Sequence, residues 1–181
     1  MIRKLQLEEL GRVDVDTFKN QPKHPVVLVL DNLRSAHNVG AAFRTGDAFA
    51  VEALYLCGIT PQPPHKEIHK AALGATESVE WHYFEQTAEA IKLLKEQGYR
   101  MVGVEQTDSP TYLQDFRPAA EEKYAFVFGN EVYGLSEEVL PLLDMALEIP
   151  QFGTKHSLNV SVTLGIVCWH YWQHAFASKT P

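Results

Sequence analysis

The chain has 181 residues, of which 45% are hydrophobic and 22% charged, and its formal net charge is −7. This size and composition suit one globular domain with a substantial core. No apolar run approaches the roughly 18 residues that a membrane span needs, and residues 1–6 lack the apolar stretch of a signal peptide. The acidic total excludes a surface that is basic all over, so a nucleic-acid interface must be a local patch.

The two cysteines, Cys57 and Cys168, lie far apart in the sequence and form no CxxC pair. This spacing indicates neither a disulfide framework nor a zinc site. We therefore expect no bound metal and a cytoplasmic location, where thiols stay reduced.

The first half of the chain alternates strand and helix patterns. Residues 1–22 are predicted to be a short polar extension, with a weak helical pattern at 6–10, and the main domain is predicted to span 23–177. The continuous apolar run at 26–30 is typical of a strand buried on both faces. The elements predicted in this half are strands at 26–30, 53–57 and 79–84 and helices at 40–49, 67–73 and 87–97.

The same alternation continues in the second half and indicates an α/β domain with a mainly parallel sheet. The elements predicted there are strands at 100–105, 124–128 and 146–149 and helices at 136–143 and about 157–176. Parallel sheets bind ligands beyond the carboxyl ends of their strands. The polar and glycine-rich segments that fall at those ends, and from which we expect the site to be built, are 31–40, 105–110, 129–136 and 150–159.

The first of the chemically rich segments, 31–45, concentrates arginine, asparagine and histidine in a turn between a strand and a helix. A purely structural interpretation makes Asn38 the N-cap of the helix and lets Gly40 permit close packing. On that interpretation Arg44 is a solvated helix residue. A functional role for these side chains remains open from this segment alone.

Two later segments carry polar residues that a structural interpretation does not fully explain. In 127–138, Ser136 suits a helix start, yet Glu131 has no structural task, and the spacing is not the GxGxxG of dinucleotide sites. In 149–162, Ser157 suits an N-cap. Asn159 and Ser161 then open an otherwise apolar helix, where they cost helix stability, and this suggests a face turned toward a ligand.

Taken in order, these segments resemble the three motifs of the SpoU (TrmH-like) family of RNA 2′-O-ribose methyltransferases, within the SPOUT superfamily. Asn38–Arg44 matches the first motif, Gly129–Ser136 the second and Ile149–Val162 the third, and the resemblance extends from Val26 to Tyr171. It implies helices on both faces of the sheet and a deep C-terminal trefoil knot. It also implies a homodimer, to which the last helix contributes Trp169, Tyr171 and Trp172.

The resemblance further implies S-adenosylmethionine as the cofactor, held largely by backbone groups. The cofactor-binding residues it implies are Glu105, Gln106, Thr107, Gly129, Asn130, Gly134, Ile149, Gln151, Ser157 and Leu158. Gln151 departs from the methionine that many relatives carry.

The catalytic residues implied by the resemblance are Arg44, Asn38, Glu131, Ser157 and Asn159. Arginine is effectively always protonated, so we expect Arg44 to clamp an RNA phosphate and to stabilise the forming alkoxide rather than to act as a base. Asn38 and Asn159 are expected to orient Arg44 and the ribose. Glu131 is expected to hold Arg34 or Arg44, and Ser157 to support the cofactor or substrate.

An RNA patch is expected despite the acidic total, because 65–75 resembles the family segment that binds RNA phosphate. The RNA-binding candidates are Arg34, His37, Arg44, Lys66, His69, Lys70, Lys155 and His156. Each charge taken singly is equally well explained as solvated surface, and only their clustering argues for a patch. We expect structured RNA as the partner, with transfer RNA favoured over ribosomal RNA.

Three alternatives stay open at this point. The chain can be a catalytically inactive SpoU-like RNA-binding protein, a small-molecule-binding α/β domain, or a related methyltransferase that acts on an RNA base or a protein. The joint presence of the five catalytic candidates favours an active enzyme, and the arginine of the first motif favours ribose.

Overall fold

A computed structural model describes residues 2–176 and shows a seven-stranded sheet in which all strand pairs are parallel. The strands are β1 (His24–Asp31), β2 (Val51–Cys57), β3 (Trp81–Phe84), β4 (Tyr99–Val104), β5 (Thr111–Tyr112), β6 (Lys123–Phe128) and β7 (Met145–Glu148). Their order across the sheet is β3-β2-β1-β6-β4-β7-β5. The predicted α/β class with a parallel sheet is confirmed.

Six α-helices accompany the sheet within the described part of the chain. They are α1 (Val15–Asn20), α2 (Ala36–Ala48), α3 (Lys66–Ala72), α4 (Ala75–Ser78), α5 (Thr87–Glu96) and α6 (Val160–Ala175). Short 3-10 turns occur at Leu7–Leu10, Leu113–Asp115 and Leu140–Leu142.

Helix α1 was not predicted, because it lies in the segment interpreted as a polar extension. The Asp14 carboxylate accepts a hydrogen bond from the Thr17 backbone N–H at 2.8 Å and so caps the helix. Phe18 on its inner side is only 9% exposed and joins the core. A single buried aromatic residue therefore attaches this segment to the domain.

The core occupies both faces of the sheet, as the alternation of side chains along β1 shows. Leu28 and Leu30 belong to one buried cluster, which includes Phe43 of α2 and residues of α6. Val27 and Val29 point to the other face, where α5 packs. The continuous apolar run of β1 is thus explained by burial on two sides, and helices lie on both faces as expected.

Helices α2 and α3 approach each other closely at Gly40. A Cβ atom added there would lie 2.6 Å from the Ile68 carbonyl oxygen and 2.7 Å from the Ala71 Cβ. Both distances are far below contact distance, so only glycine fits without a shift of backbone. The predicted role of Gly40 in close packing is confirmed.

Two helix starts differ from the prediction, and the helix expected at 136–143 was wrong. That segment forms turns and only a 3-10 turn at Leu140–Leu142, since Pro141 removes a backbone donor and obstructs a helix interior. Helix α2 begins earlier than predicted, because Ser35 rather than Asn38 is its N-cap. Helix α6 begins later, because Asn159 rather than Ser157 caps it.

None of the helices formed by residues 2–176 is long and apolar enough to cross a membrane.

Candidate active site

An open cleft of about 1120 Å³ lies at the carboxyl ends of β4, β6 and β7. Its walls come from the loops that follow these strands, where the parallel-sheet rule places ligands. All ten residues predicted to bind the cofactor line this one cleft: Glu105, Gln106, Thr107, Gly129, Asn130, Gly134, Ile149, Gln151, Ser157 and Leu158.

A tight turn after β6 forms one wall of the cleft. Asn130 and Gly134 exchange backbone hydrogen bonds of 2.9 and 3.0 Å, and the Asn130 Oδ1 accepts the Val132 N–H at 2.9 Å. Gly134 has a φ of +70°, and a Cβ atom there would lie 2.3 Å from the Glu105 Oε2. Because that same oxygen accepts the Leu135 N–H at 3.0 Å, Gly134 is required by both conformation and space.

A hydrogen-bonded network joins all three motifs beside the cleft. The Asn38 Nδ2 donates to the Glu131 Oε1 at 2.9 Å, and the Asn159 Nδ2 donates to the Asn38 Oδ1 at 3.4 Å. The Asn159 Oδ1 in turn accepts from the backbone N–H and the hydroxyl of Ser161 at 2.8 and 2.6 Å. Asn38 is 5% exposed, so its amide is held firmly between its two partners.

Glu131 holds Arg34, one of the two arginines predicted for it, although it does so through the backbone N–H and not through the guanidinium group. Its carboxylate accepts the backbone N–H groups of Arg34 and Ser35 at 2.8 and 3.0 Å. Burial by itself raises the pKa of Glu131, but the hydrogen bonds from Arg34, Asn38 and Ser35 outweigh it and hold the pKa below its ordinary value. Glu131 is therefore ionised at neutral pH.

The loop of the third motif is exposed over residues 151–159 and is tied to the loop after β4. The Gln106 Nε2 donates to the His156 carbonyl oxygen at 2.5 Å. Ser157 and Asn159 line the cleft. The predicted N-cap at Ser157 was wrong, since the Asn159 side chain performs that task.

Arg44 stands apart from the network. It lies six residues after Asn38, about 9 Å further along the axis of α2, and is not among the residues that line the cleft. Within residues 2–176, the side chains of Arg44, Arg34 and His37 are exposed and form neither a hydrogen bond nor an ion pair. The predicted orientation of Arg44 by Asn38 and Asn159 is thus not present, and both guanidinium groups are available to a ligand.

Asp31 was missed as a site residue. Its carboxylate is fully buried at the end of β1 and accepts from the Thr87 hydroxyl at 2.6 Å, the Asn32 Nδ2 at 2.9 Å and the Ser136 N–H at 2.8 Å. It thereby anchors the end of the second motif to β1 and α5. The available signal was an aspartate that directly continues a strand buried on both faces, where a charge needs several partners.

The cleft is strongly acidic. The carboxylates that line it belong to Glu105, Asp108, Glu131, Glu137, Asp144 and Glu148, and none of the described lining residues is lysine or arginine. Such a cleft attracts a cationic ligand and repels phosphate. The basic candidates Lys66 and His69 lie elsewhere, at a second pocket of about 480 Å³. No group of three or more potential metal ligands occurs among residues 2–176.

The fold and the cleft define an α/β protein with a ligand site at the carboxyl ends of a parallel sheet. The sequence profile of the SpoU rRNA Methylase family matches residues 25–169, so the chain belongs to that family.

Two curated relatives are named 23S rRNA (guanosine-2′-O-)-methyltransferase RlmB. The protein from Neisseria meningitidis serogroup B is 33% identical over 153 residues, which are 84% of this chain and 60% of the relative. The protein from Vibrio parahaemolyticus is 30% identical over 172 residues, covering 95% of this chain and 68% of the relative. The chain thus spans about three fifths to two thirds of the length of these relatives.

Among solved structures, an AdoMet-bound rRNA methyltransferase from Sinorhizobium meliloti has the same fold. It superimposes with a TM-score of 0.78 at 23% identity, over 90% of this chain and 60% of that one.

Proposed function

We propose that the chain transfers a methyl group from S-adenosylmethionine to a ribose 2′-hydroxyl in RNA. The observation that carries this proposal is the Glu131–Asn38–Asn159 network, which joins the three motifs of the family at the edge of one acidic cleft. The methyltransferase names of the relatives support it.

The residues of the cleft fit the cofactor. A volume of about 1120 Å³ leaves room for a ligand of this size. The exposed side chains of Leu140 and Leu158 offer apolar surface to an adenine ring, and the carboxylates suit a ligand with a sulfonium and an amino group. When bound, the cofactor supplies a methyl group on a positively charged sulfur. The Sinorhizobium relative solved with AdoMet supports this assignment.

The chain's own residues position the RNA and stabilise charge. Arg44 and Arg34 bind phosphate, and Arg44 also stabilises the negative charge that develops on the 2′-oxygen. The network through Asn38 fixes the first motif so that helix α2 presents Arg44 in one orientation. Ser157 and Asn159 hold the ribose side of the cleft.

Because Arg44 does not line the cleft of its own chain, we propose a homodimer in which it serves the partner's cleft. Val162, Ile166 and Trp169 form an exposed apolar stripe along α6, at spacings of four and three residues. Such a stripe on a helix is typical of a protein interface. We extend the proposal to the trefoil knot, which the likeness to the solved SpoU fold supports.

For the substrate, we propose ribosomal RNA, and the preference for transfer RNA reached from the sequence is withdrawn. The overturning finding is that both relatives above are named for 23S rRNA. We also propose that 23–177 forms the methyltransferase domain and that the protein acts in the cytoplasm, in keeping with two buried free cysteines.

The test is methylation of total RNA, taken from cells that lack the gene, with cofactor carrying a radiolabelled methyl group. We expect alkali-resistant 2′-O-methylated dinucleotides from the ribosomal RNA band. Arg44→Ala is expected to lower the rate by about 100-fold or more, because it removes charge stabilisation. Arg12→Ala, which removes an exposed arginine of the N-terminal segment, serves as the matched control and keeps full activity.

Two outcomes would overturn the proposal in different ways. If the cofactor binds and no RNA is labelled, the chain is an inactive RNA-binding member of the family or modifies another substrate. If the cofactor does not bind, the assignment of the cleft is wrong.

A further inference from the structure

A second pocket of about 480 Å³ opens between the proline-rich loop after β2 and the helices α3 and α4. It shares no lining residue with the acidic cleft. Its lining residues are Pro63, Pro64, His65, Lys66, Ile68, His69, Thr76 and Glu77. The volume falls in the range of small-molecule sites and accommodates one nucleotide.

The polar side chains of this pocket are available to a ligand. Lys66, His69 and Glu77 are exposed, and within residues 2–176 their side chains form no hydrogen bond or ion pair. The His65 Nδ1 accepts the Glu67 backbone N–H at 3.2 Å, so the neutral His65 ring carries its proton on Nε2. The pocket therefore presents several donors and one carboxylate acceptor, none of which is engaged by the rest of the described chain.

The arrangement of charges separates this pocket from the cleft. Lys66 provides positive charge for a phosphate, and the His65 and His69 rings add hydrogen-bond donors beside it. The cleft next to the motifs carries carboxylates and no lysine or arginine among its described lining residues. An RNA phosphate is consequently favoured at the second pocket and disfavoured inside the cleft.

Glu77 is the one carboxylate among the described residues that line this pocket. An ionised carboxylate only accepts hydrogen bonds, and its two oxygens can accept from two adjacent donors. The Watson–Crick edge of an unpaired guanine offers such a pair, N1–H and the N2 amino group. Uracil offers a single N–H between two carbonyl oxygens, which a carboxylate repels. Pro63 and Pro64 supply apolar surface against which the ring can pack.

We propose that this pocket binds an unpaired guanosine nucleotide of the RNA, with Glu77 on the base and Lys66 and His69 on the phosphate. The inference rests on the proposed function in that it takes RNA as the substrate. It adds a base-reading site outside the reaction centre. A guanosine held there anchors the RNA, so its loss affects substrate affinity and leaves the methyl-transfer step unchanged.

The experiment is an NMR titration of the full chain, without cofactor, with GMP, AMP, CMP and UMP in turn. We expect GMP to shift the amide signals of Thr76, Glu77 and His69 and to bind about tenfold more tightly than UMP. Glu77→Gln is expected to abolish the preference for GMP, because one acceptor oxygen becomes a donor. Glu80→Gln, an equal change of charge on an exposed glutamate outside the pocket, keeps the preference.

Equal binding of the four nucleotides would overturn the base readout and leave a phosphate site only. Absence of shifts at the pocket would overturn the site itself. RNA methylation without GMP binding would refute this inference and leave the proposed function standing. GMP binding without RNA methylation would support this inference and refute the proposed function. In the methylation assay, Glu77→Gln is expected to raise KM for RNA with kcat unchanged.

Discussion

At the scale of single residues, Glu131 does most to assemble the site. One carboxylate receives three hydrogen bonds from residues 34–38, although Glu131 lies 93 positions after Asn38 in the sequence. We expect Glu131→Gln to lower the free energy of unfolding by about 1–2 kcal/mol, since an amide group cannot accept all three bonds. Urea denaturation measures the change, and Glu138→Gln, at an exposed glutamate without a partner among residues 2–176, is the control.

The effect of Glu131→Gln depends on pH. The folded protein holds the pKa of Glu131 below its ordinary value of 4.5, so ionised Glu131 stabilises the fold above pH 4.5. That contribution is lost as the pH falls through the lower, folded-state pKa. The difference between wild type and variant is therefore expected at pH 7 and shrinks in stronger acid. An equal difference in stability between wild type and variant at pH 7 and in stronger acid would contradict a stabilising role for the ionised carboxylate.

At the scale of elements, strands were more predictable than helix ends. The strand β1 is evident because both of its faces are buried, which demands a continuous apolar run. The N-cap of α2 was not predictable from the sequence, because Ser35 and Asn38 both have side chains that can cap a helix. Contacts with Glu131 and Asn159 engage the Asn38 side chain and leave the cap to Ser35.

The site was also predictable only in part. Its loops were predictable because the carboxyl ends of parallel strands meet at one edge of the sheet. The partners of each side chain were not, since Glu131 could equally have been paired with a nearby guanidinium. Bonds such as that between Asp31 and Ser136 join residues far apart in sequence, and no local pattern encodes them.

The contact between α2 and α3 gives a prediction for one element pair. We expect Gly40→Ala to lower the free energy of unfolding by about 1–3 kcal/mol, because the added methyl group meets the Ile68 carbonyl oxygen. Gly153→Ala has no atom within 4 Å of the added Cβ and is expected to stay within about 0.5 kcal/mol of wild type. Chemical denaturation compares the two, and equal stabilities would show that α3 moves aside freely.

At the scale of the whole molecule, the proposed dimer leads to two predictions, of which the first concerns the exposed stripe of α6. Ile166→Glu places a charge in the exposed stripe of α6 and is expected to yield monomers in sedimentation. Its matched control is Gln173→Glu, which adds the same charge at an exposed position further along the helix. A dimer that survives Ile166→Glu would exclude this stripe as the interface.

Mixed dimers test the exchange of Arg44 between chains. Arg44→Ala is expected to be inactive because it lacks the arginine. Gly134→Val is expected to be inactive because the added side chain disrupts the cleft. If Arg44 serves the partner's cleft, free mixing restores about a quarter of wild-type activity, because half of the dimers are mixed and each has one intact site. If Arg44 serves its own cleft, mixing restores nothing.

The strand order has a consequence for synthesis on the ribosome. Strand β1 pairs with β2 on one side and with β6 on the other, and 91 residues separate the end of β1 from the start of β6. At a synthesis rate of about 5–20 residues per second, those residues take roughly 5–20 s to emerge. During that interval the nascent chain displays an apolar strand edge without its neighbour, which makes it a natural client for chaperones that shield such edges.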